Sequence, residues 1–185
     1  MNTVFLIDFD GTITEHDITS KMAAYYGGQD YQQIEKRYRK REITIKQWLQ
    51  EIAKLLPNDL ELLQEKALEW AEIKPGFRRF LELAAKQKSP VIVASDGFGF
   101  YIEPILKKFD LLGERLMIYR NRTRVGETGA LQVATPHAHK TCPVCGNCKA
   151  ALVVNFKKKG HPVIYIGDGS NDRFGASWSD GIYAK

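Results

Sequence analysis

Four short apolar runs punctuate the chain, at residues 4–7, 90–94, 116–119 and 162–166, and polar or glycine residues stop each one. Runs of four or five residues rich in Val and Ile, bounded by such breakers, predict buried strands. Two weaker segments join them: 131–133, expected to return as the second arm of a hairpin across a turn at Gly126 or Gly129, and 181–185, expected as a last strand. Between the strands the period changes to that of helices. After Thr44, a candidate N-cap, Ile45, Trp48, Leu49 and Ile52 recur at helical spacing until Pro57. Leu60, Leu63, Ala67 and Trp70 follow Asn58 or Asp59 in the same way, and Ile18, Met22 and Tyr25 predict a shorter helix ending at Gly27-Gly28. Further helices are expected after Pro75, around Ile102 and Ile105, and over 150–156.

Strands that alternate with helices predict an α/β fold with a parallel, Rossmann-like sheet. The stretch 13–73, rich in Gln, Glu, Lys, Arg, Leu and Ala and without a strand pattern, reads as a helical cap inserted after the first strand. Residues 1–12 and 74–185 then form the core domain. A chain of 185 residues with 44% apolar content has room for one such core and a small insertion. The formal charge of +5 suits an anionic ligand without requiring nucleic acid, and no nucleic-acid motif accompanies it. Neither a basic leader nor a long apolar segment is visible, so the expectation is a cytoplasmic protein with no membrane association. Lys36, Arg37, Arg39, Lys40 and Arg41 read first as a solvated helix face and second as a surface that draws in phosphate. No pattern in the chain fixes an oligomeric state.

The candidate chemistry sits where the strands end. Asp8-Phe9-Asp10-Gly11-Thr12 places two carboxylates on alternate positions of an extended segment, so both can face one spot. Their repulsion calls for a shared proton or a divalent cation with oxygen ligands. Gly11 permits a sharp turn, and Thr12 offers a hydroxyl and an N–H. Gly167-Asp168-Gly169-Ser170-Asn171-Asp172 repeats the design after another strand, and in an open parallel sheet both ends face one crevice. Ser95-Asp96-Gly97 puts a small hydroxyl before a helix start, which suits an oxyanion. Lys149 opens an apolar helix, where a cation is electrostatically misplaced unless an anion receives it. Asp17 reads first as a helix cap.

Asp-Phe-Asp-Gly-Thr and Gly-Asp-Gly-Ser-Asn-Asp, in this order and each after a predicted strand, resemble the haloacid dehalogenase superfamily of phosphohydrolases. Cys-Gly-Asn-Cys-Lys, Lys-Pro-Gly-Phe and Ser-Asp-Gly-Phe look like its phosphoserine-phosphatase-like branch, which includes the phosphatases of methionine salvage. The resemblance covers essentially the whole chain, although relatives in that branch continue beyond the strand matching 181–185. It implies Mg²⁺-dependent hydrolysis of a small phosphorylated metabolite through an aspartyl-phosphate. Asp8 would be the nucleophile, expected to be ionised already at neutral pH, and Asp10 the acid and base. Asp8, the Asp10 carbonyl and Asp168 would hold Mg²⁺. Lys149, Ser95 and the Gly97 backbone would hold the phosphate, with Thr12 and Asn171 nearby; Asp172 would orient Lys149 or a water, and Asp17 would face the substrate from the cap. The second acid, Asp10, argues against dehalogenation, which has no alkoxide to protonate. Phosphoserine, phosphocholine and phosphoethanolamine are alternative substrates, and transfer to another hydroxyl is an alternative to hydrolysis.

Cys142, Cys145 and Cys148, with His137 and His139 close by, offer soft ligands for a structural Zn²⁺. A zinc-stabilised interaction module is the non-enzymatic alternative that they support. The second Cys-x-x-Cys half of a zinc ribbon is missing, so the preferred reading is that they shape the turn into the Lys149 helix. Three thiols within seven residues do not make a secreted disulfide framework.

Overall fold

The computed structural model describes residues 2–127, 129–169 and 171–184. Ser170 of the second acidic motif and Lys185 of the last expected strand lie outside the described residues. β1 (Val4–Ile7) is followed by three helices, α1 (Ile18–Arg39), α2 (Ile45–Leu55) and α3 (Leu60–Trp70). The chain then runs through α4 (Phe77–Lys86), β2 (Val91–Ala94), α5 (Gly99–Lys108) and β3 (Leu116–Tyr119). A two-stranded ribbon comes next, β4 (Arg122–Val125) with β5 (Leu131–Ala134), then α6 (Lys149–Lys158), β6 (Val163–Gly167), α7 (Arg173–Ala176) and β7 (Gly181–Ala184).

The main sheet has the order β3-β2-β1-β6-β7 and is parallel throughout. From β1 the chain steps outward to β2 and β3, then returns to β6 on the other side of β1. The order therefore reverses between β1 and β6, where α/β sheets open a ligand crevice at their carboxyl ends. Strand alternation sorts the core. Val4 and Leu6 join Ile92, Val163, Leu152 and Val153 on the α6 side. Ile7, Val91 and Val93 face α4, α5 and the inserted helices.

The inserted helices start where their caps predict. Asp17 accepts from Ser20 N–H at 2.7 Å, Thr44 and Gln47 form a reciprocal capping box, and Asp59 accepts from Leu62 N–H at 3.0 Å. An antiparallel bridge between Thr14 and Ile73 closes the neck of the insertion.

Two expectations need correction. The first helix does not stop at Gly27-Gly28 but passes through a kink at Gly28 (φ 47°, ψ −118°) and continues to Arg39. Glycine here serves packing: a Cβ on Gly27 would sit 2.5 Å from Leu55 Cδ1, so its absence lets α1 and α2 close, and Ile34 is buried beyond the kink. The hairpin also draws its first arm from the polar stretch 122–125, in register Arg122↔Ala134 to Val125↔Leu131. Its outward charges hid the strand. The basic cluster on α1 is largely engaged by acids: Arg37 meets Glu51 at 2.6 Å, Arg39 meets Glu35 at 2.8 Å and Lys40 meets Glu42 at 3.9 Å. Among the described residues, no helix is long and apolar enough to cross a membrane.

Candidate active site

β1 leaves the sheet after Ile7, and Asp8 N–H still donates to Ile166 O at 2.9 Å, which fixes Asp8 beside the end of β6. Gly11 then turns with φ +78°, and a Cβ there would stand 2.7 Å from Asp168 Oδ2. Only glycine brings the first acidic turn this close to the second. Thr12 Oγ1 donates to Asp168 Oδ1 at 2.9 Å and ties the two turns together. Asp8, Asp168 and Asp172 each present one carboxylate oxygen, all within 4.8 Å of one another.

Lys149 is the first residue of α6 and is buried. Its Nζ donates to Asp8 Oδ1 at 2.6 Å and to Asp172 Oδ1 at 2.5 Å. The anions that a cation at this helix start requires are therefore those of β1 and of the turn after β6. Burial alone would lower the ammonium pKa, but Asp8, Tyr165 and Asp172 outweigh it and hold the value well above that of an ordinary lysine. Asp172 also accepts from Tyr165 O–H at 2.5 Å and from Gly169 N–H at 2.9 Å. Two carboxylates share the one ammonium and Asp168 adds a third acid beside them, and hard oxygen donors at this spacing fit a divalent cation such as Mg²⁺.

Asp8 departs from the expectation of full ionisation. Burial pushes its carboxyl up, Asp172 adds to the rise, Lys149 pulls it back, and the balance in the metal-free chain is about 7. Asp10 turns away from Lys149. Its Oδ2 accepts from Tyr101 O–H at 2.6 Å and from Ser95 Oγ at 3.3 Å, and its Oδ1 accepts from Ile18 N–H at 3.0 Å. Burial first, and then the charge of Asp17, holds the Asp10 carboxyl well above the usual carboxylate range.

These acids line a cavity of about 140 Å³ together with Ser95, Asp96, Gly97 and Asn171 from the core. The insertion contributes Asp17, Thr19, Ile45, Trp48 and Leu49. A hydrogen bond from Lys46 N–H to Val144 O, 3.1 Å long, seats α2 against the cysteine loop. Gly97 N–H donates to Ser95 Oγ at 2.8 Å, and Asn171 Nδ2 donates to Asp96 Oδ2 at 3.2 Å. Of the residues singled out at the strand ends, Asp8, Asp10, Ser95, Gly97, Asp168 and Asn171 line the cavity, Thr12, Lys149 and Asp172 are bonded to these acids or to one another behind it, and Asp17 lines it as an exposed residue. The three cysteines are free and do not belong to the group of converging ligand atoms found among the described residues.

Sequence reasoning missed Tyr101, Asp96 and Asn147. Asp96 is buried and accepts from Asn147 N–H at 2.6 Å, while Asn147 Nδ2 donates to Ser95 O at 3.2 Å and Tyr119 O at 2.6 Å. These bonds hold the loop before Lys149 onto the strand ends. The available signal was the polar Asn between two cysteines, beside a glycine.

Comparison with known proteins agrees with this geometry. A family described as Putative Phosphatase matches residues 3–177. A Bacillus pumilus (strain SAFR-032) protein named 2-hydroxy-3-keto-5-methylthiopentenyl-1-phosphate phosphatase is 31% identical over 181 residues, covering 96% of this chain and 77% of the relative. A protein of the same name from Exiguobacterium sibiricum is 29% identical over 196 residues, covering 100% and 84%. Among solved structures, a phospho-aspartyl intermediate analogue of phosphoserine phosphatase superposes with a TM-score of 0.74 at 20% identity, covering 99% of this chain and 86% of that one. A substrate-bound phosphoserine phosphatase gives 0.74 at 19% identity, covering 100% and 86%. These two likenesses carry the fold, a five-stranded parallel sheet with helices inserted after β1. With its family matched over residues 3–177 and its strand-end acids gathered around one buried lysine, the chain belongs to the putative phosphatase family, a group of haloacid-dehalogenase-like phosphatases.

Proposed function

We propose that the chain is a Mg²⁺-dependent phosphomonoesterase whose substrate is 2-hydroxy-3-keto-5-methylthiopentenyl 1-phosphate, with residues 13–73 acting as the cap over the site. The observation that carries the substrate reading is the cap side of the cavity. It presents Ile45, Trp48 and Leu49, all buried, and among the described residues its lining contains no arginine or lysine. A neutral leaving group with an apolar thioether tail suits that surface, and the two relatives are named as phosphatases of such an ester. The carboxylate of phosphoserine would find no cation there.

In this mechanism an ionised Asp8 oxygen attacks phosphorus, and the bond from phosphorus to the ester oxygen breaks. Asp10 gives its proton to that oxygen; its raised pKa keeps the proton available. The Asp10 carboxylate then takes a proton from water as the water oxygen attacks the phosphorus of the aspartyl-phosphate. Inorganic phosphate leaves, and both carboxyl groups return to their starting state. Lys149 holds Asp8 in line and offsets phosphate charge, and Asp172 with Tyr165 fixes the lysine. Asp8, Asp168 and the Asp10 carbonyl would hold Mg²⁺, with Asp172 in reach, and when bound it would supply positive charge that favours ionised Asp8 and offsets the charge of the phosphoryl oxygens.

A second reading rests on Asp17 and Trp48. A carboxylate at the mouth and an indole in the lining also fit an amine-bearing leaving group, as in phosphoethanolamine or phosphocholine. Phosphate release with Mg²⁺ across the thioether ester, phosphoserine, phosphoethanolamine and phosphocholine separates the readings. The highest kcat/KM is expected on the thioether ester. A preference for either amine ester would select the second reading, and no release from any ester would overturn both.

A further inference from the structure

Asp10 is gripped from two domains at once. Tyr101, on the core helix α5, donates its hydroxyl to Asp10 Oδ2 at 2.6 Å, and Ser95 Oγ reaches the same oxygen at 3.3 Å. From the insertion, Ile18 N–H donates to Oδ1 at 3.0 Å. The Tyr101 oxygen also lies 2.8 Å from Thr19 Oγ1, so one phenol joins the acid to the first turn of α1. Tyr101 is fully buried. Phenylalanine would fill that volume equally well, so packing does not explain the hydroxyl.

The surroundings are built to admit it. A Cβ on Gly97 would stand 2.1 Å from the Tyr101 oxygen and 2.5 Å from Asp10 Oδ2. Gly97 N–H meanwhile donates to Ser95 Oγ at 2.8 Å, which leaves the serine proton free to point at Asp10. A carboxylate oxygen accepts about two hydrogen bonds. Among the described residues, Oδ2 thus has its two, from Tyr101 and Ser95, whereas Oδ1 has one, from Ile18 N–H.

We propose that Tyr101 is a positioning residue for Asp10: with Ser95 it saturates Oδ2, leaves Oδ1 as the oxygen that carries the mobile proton, and makes that arrangement depend on the insertion being seated through Thr19. The inference rests on the reading of Asp10 as the acid that protonates the leaving oxygen. It assigns Gly97 a second task beyond any contact with phosphate, that of leaving space for the phenol. It also gives the insertion a part in chemistry, because Ile18 and Thr19 both belong to α1.

The test compares two substrates of opposite need. A simple alkyl phosphate has an alkoxide leaving group that requires a proton, whereas p-nitrophenolate leaves without one. Because kcat/KM covers only the steps through transfer to Asp8, it isolates the protonation. For Tyr101→Phe, the loss of kcat/KM on the alkyl ester is expected to exceed the loss on p-nitrophenyl phosphate by about tenfold, a part of the 10²–10⁴ that general acid catalysis supplies. Asp10→Asn should show the same bias more strongly, and Thr19→Val the same bias more weakly. Equal losses on both esters in Tyr101→Phe, with Asp10→Asn biased, would overturn the role of Tyr101 alone. Equal losses in Asp10→Asn would overturn the acid reading beneath it. Thermal midpoints establish that each variant is folded, and if Tyr101→Phe is not, the ratio in Thr19→Val decides by the same criterion.

Discussion

Lys149 and Asp8 are 141 positions apart, and Lys149 Nζ donates to Asp8 Oδ1 at 2.6 Å with both side chains buried. The contact sets the strand end against the start of α6, and its two charges are legible in the chemistry expected of each. Asp8→Asn keeps the volume and removes the nucleophile, so kcat should fall by at least about 10³-fold, with the circular dichroism spectrum unchanged. Lys149 retains Asp172 as a partner in that variant. Lys149→Ala is different: it strands two buried carboxylates, for which about 3–5 kcal/mol of destabilisation is expected in addition to lost activity. Chemical denaturation together with phosphate release checks both.

Asp8 also sets a pH dependence. Its folded value is about 7 against an ordinary 3.8, so the folded metal-free chain holds a proton that the unfolded chain has released. Stability from this group is complete below about 3.8 and is lost as pH rises through 7. Asp10, raised by burial, acts in the same direction. In chelator, Tm should fall by at least about 2–4 °C between pH 5 and pH 8, the shift expected per 1 kcal/mol in a chain of this size. Mg²⁺ should raise Tm more at pH 8 than at pH 5, because its ligands must be ionised. A metal-free Tm that rises across the window would contradict the assignment.

The parts of this site that could be read from the chain are those whose local pattern was incongruous. Carboxylates at the end of an apolar run, and a lysine opening an apolar helix, have no packing explanation, and Asp8, Asp168 and Lys149 converge in the fold. Tyr101 was invisible for the opposite reason: between Phe100 and Ile102 it looks like core, which it also is. Asp96 depends on Asn147 and Asn171, 51 and 75 positions away, and no window contains both. The same logic governs the elements. Buried strands announce themselves by hydrophobicity, whereas β4 carries Arg122, Thr123 and Arg124 and is held by its partner rather than by a core. The glycine pair in α1 read as a stop because its contact with Leu55 is a tertiary one.

Gly11 offers a test of how tightly the two acidic turns must approach. Alanine there would adopt φ near +78° at a cost of about 1–2 kcal/mol, and its Cβ would press on Asp168 Oδ2 from 2.7 Å. Gly11→Ala should therefore lose about that much stability. The activity loss should be larger, at least about tenfold in kcat/KM and partly restored by raised Mg²⁺, because the displaced carboxylate is a proposed ligand. Loss of stability without a change in Mg²⁺ dependence would separate backbone strain from the metal site.

The cysteine loop gives the last prediction. Burial pushes the Cys145 thiol up to about 12, Cys142 is exposed and free, and none of the three thiols belongs to the group of converging ligand atoms found among the described residues. The loop is held instead by Asn147, through its N–H to Asp96 and its amide to Ser95 and Tyr119, and by Cys148 N–H to His137 O at 2.9 Å. Cys142→Ser should change stability by no more than about 0.5 kcal/mol, as expected of an exposed site. Asn147→Ala should cost about 1–3 kcal/mol, because it takes the side-chain donor from the buried Ser95 carbonyl and one of two donors from Tyr119 O, and should lower activity by loosening the approach to Lys149. Elemental analysis of the purified protein is expected to find far less than one zinc per chain. Stoichiometric zinc released by thiol modification would transfer the structural role from Asn147 to the cysteines, and it would leave the phosphatase chemistry at Asp8 intact.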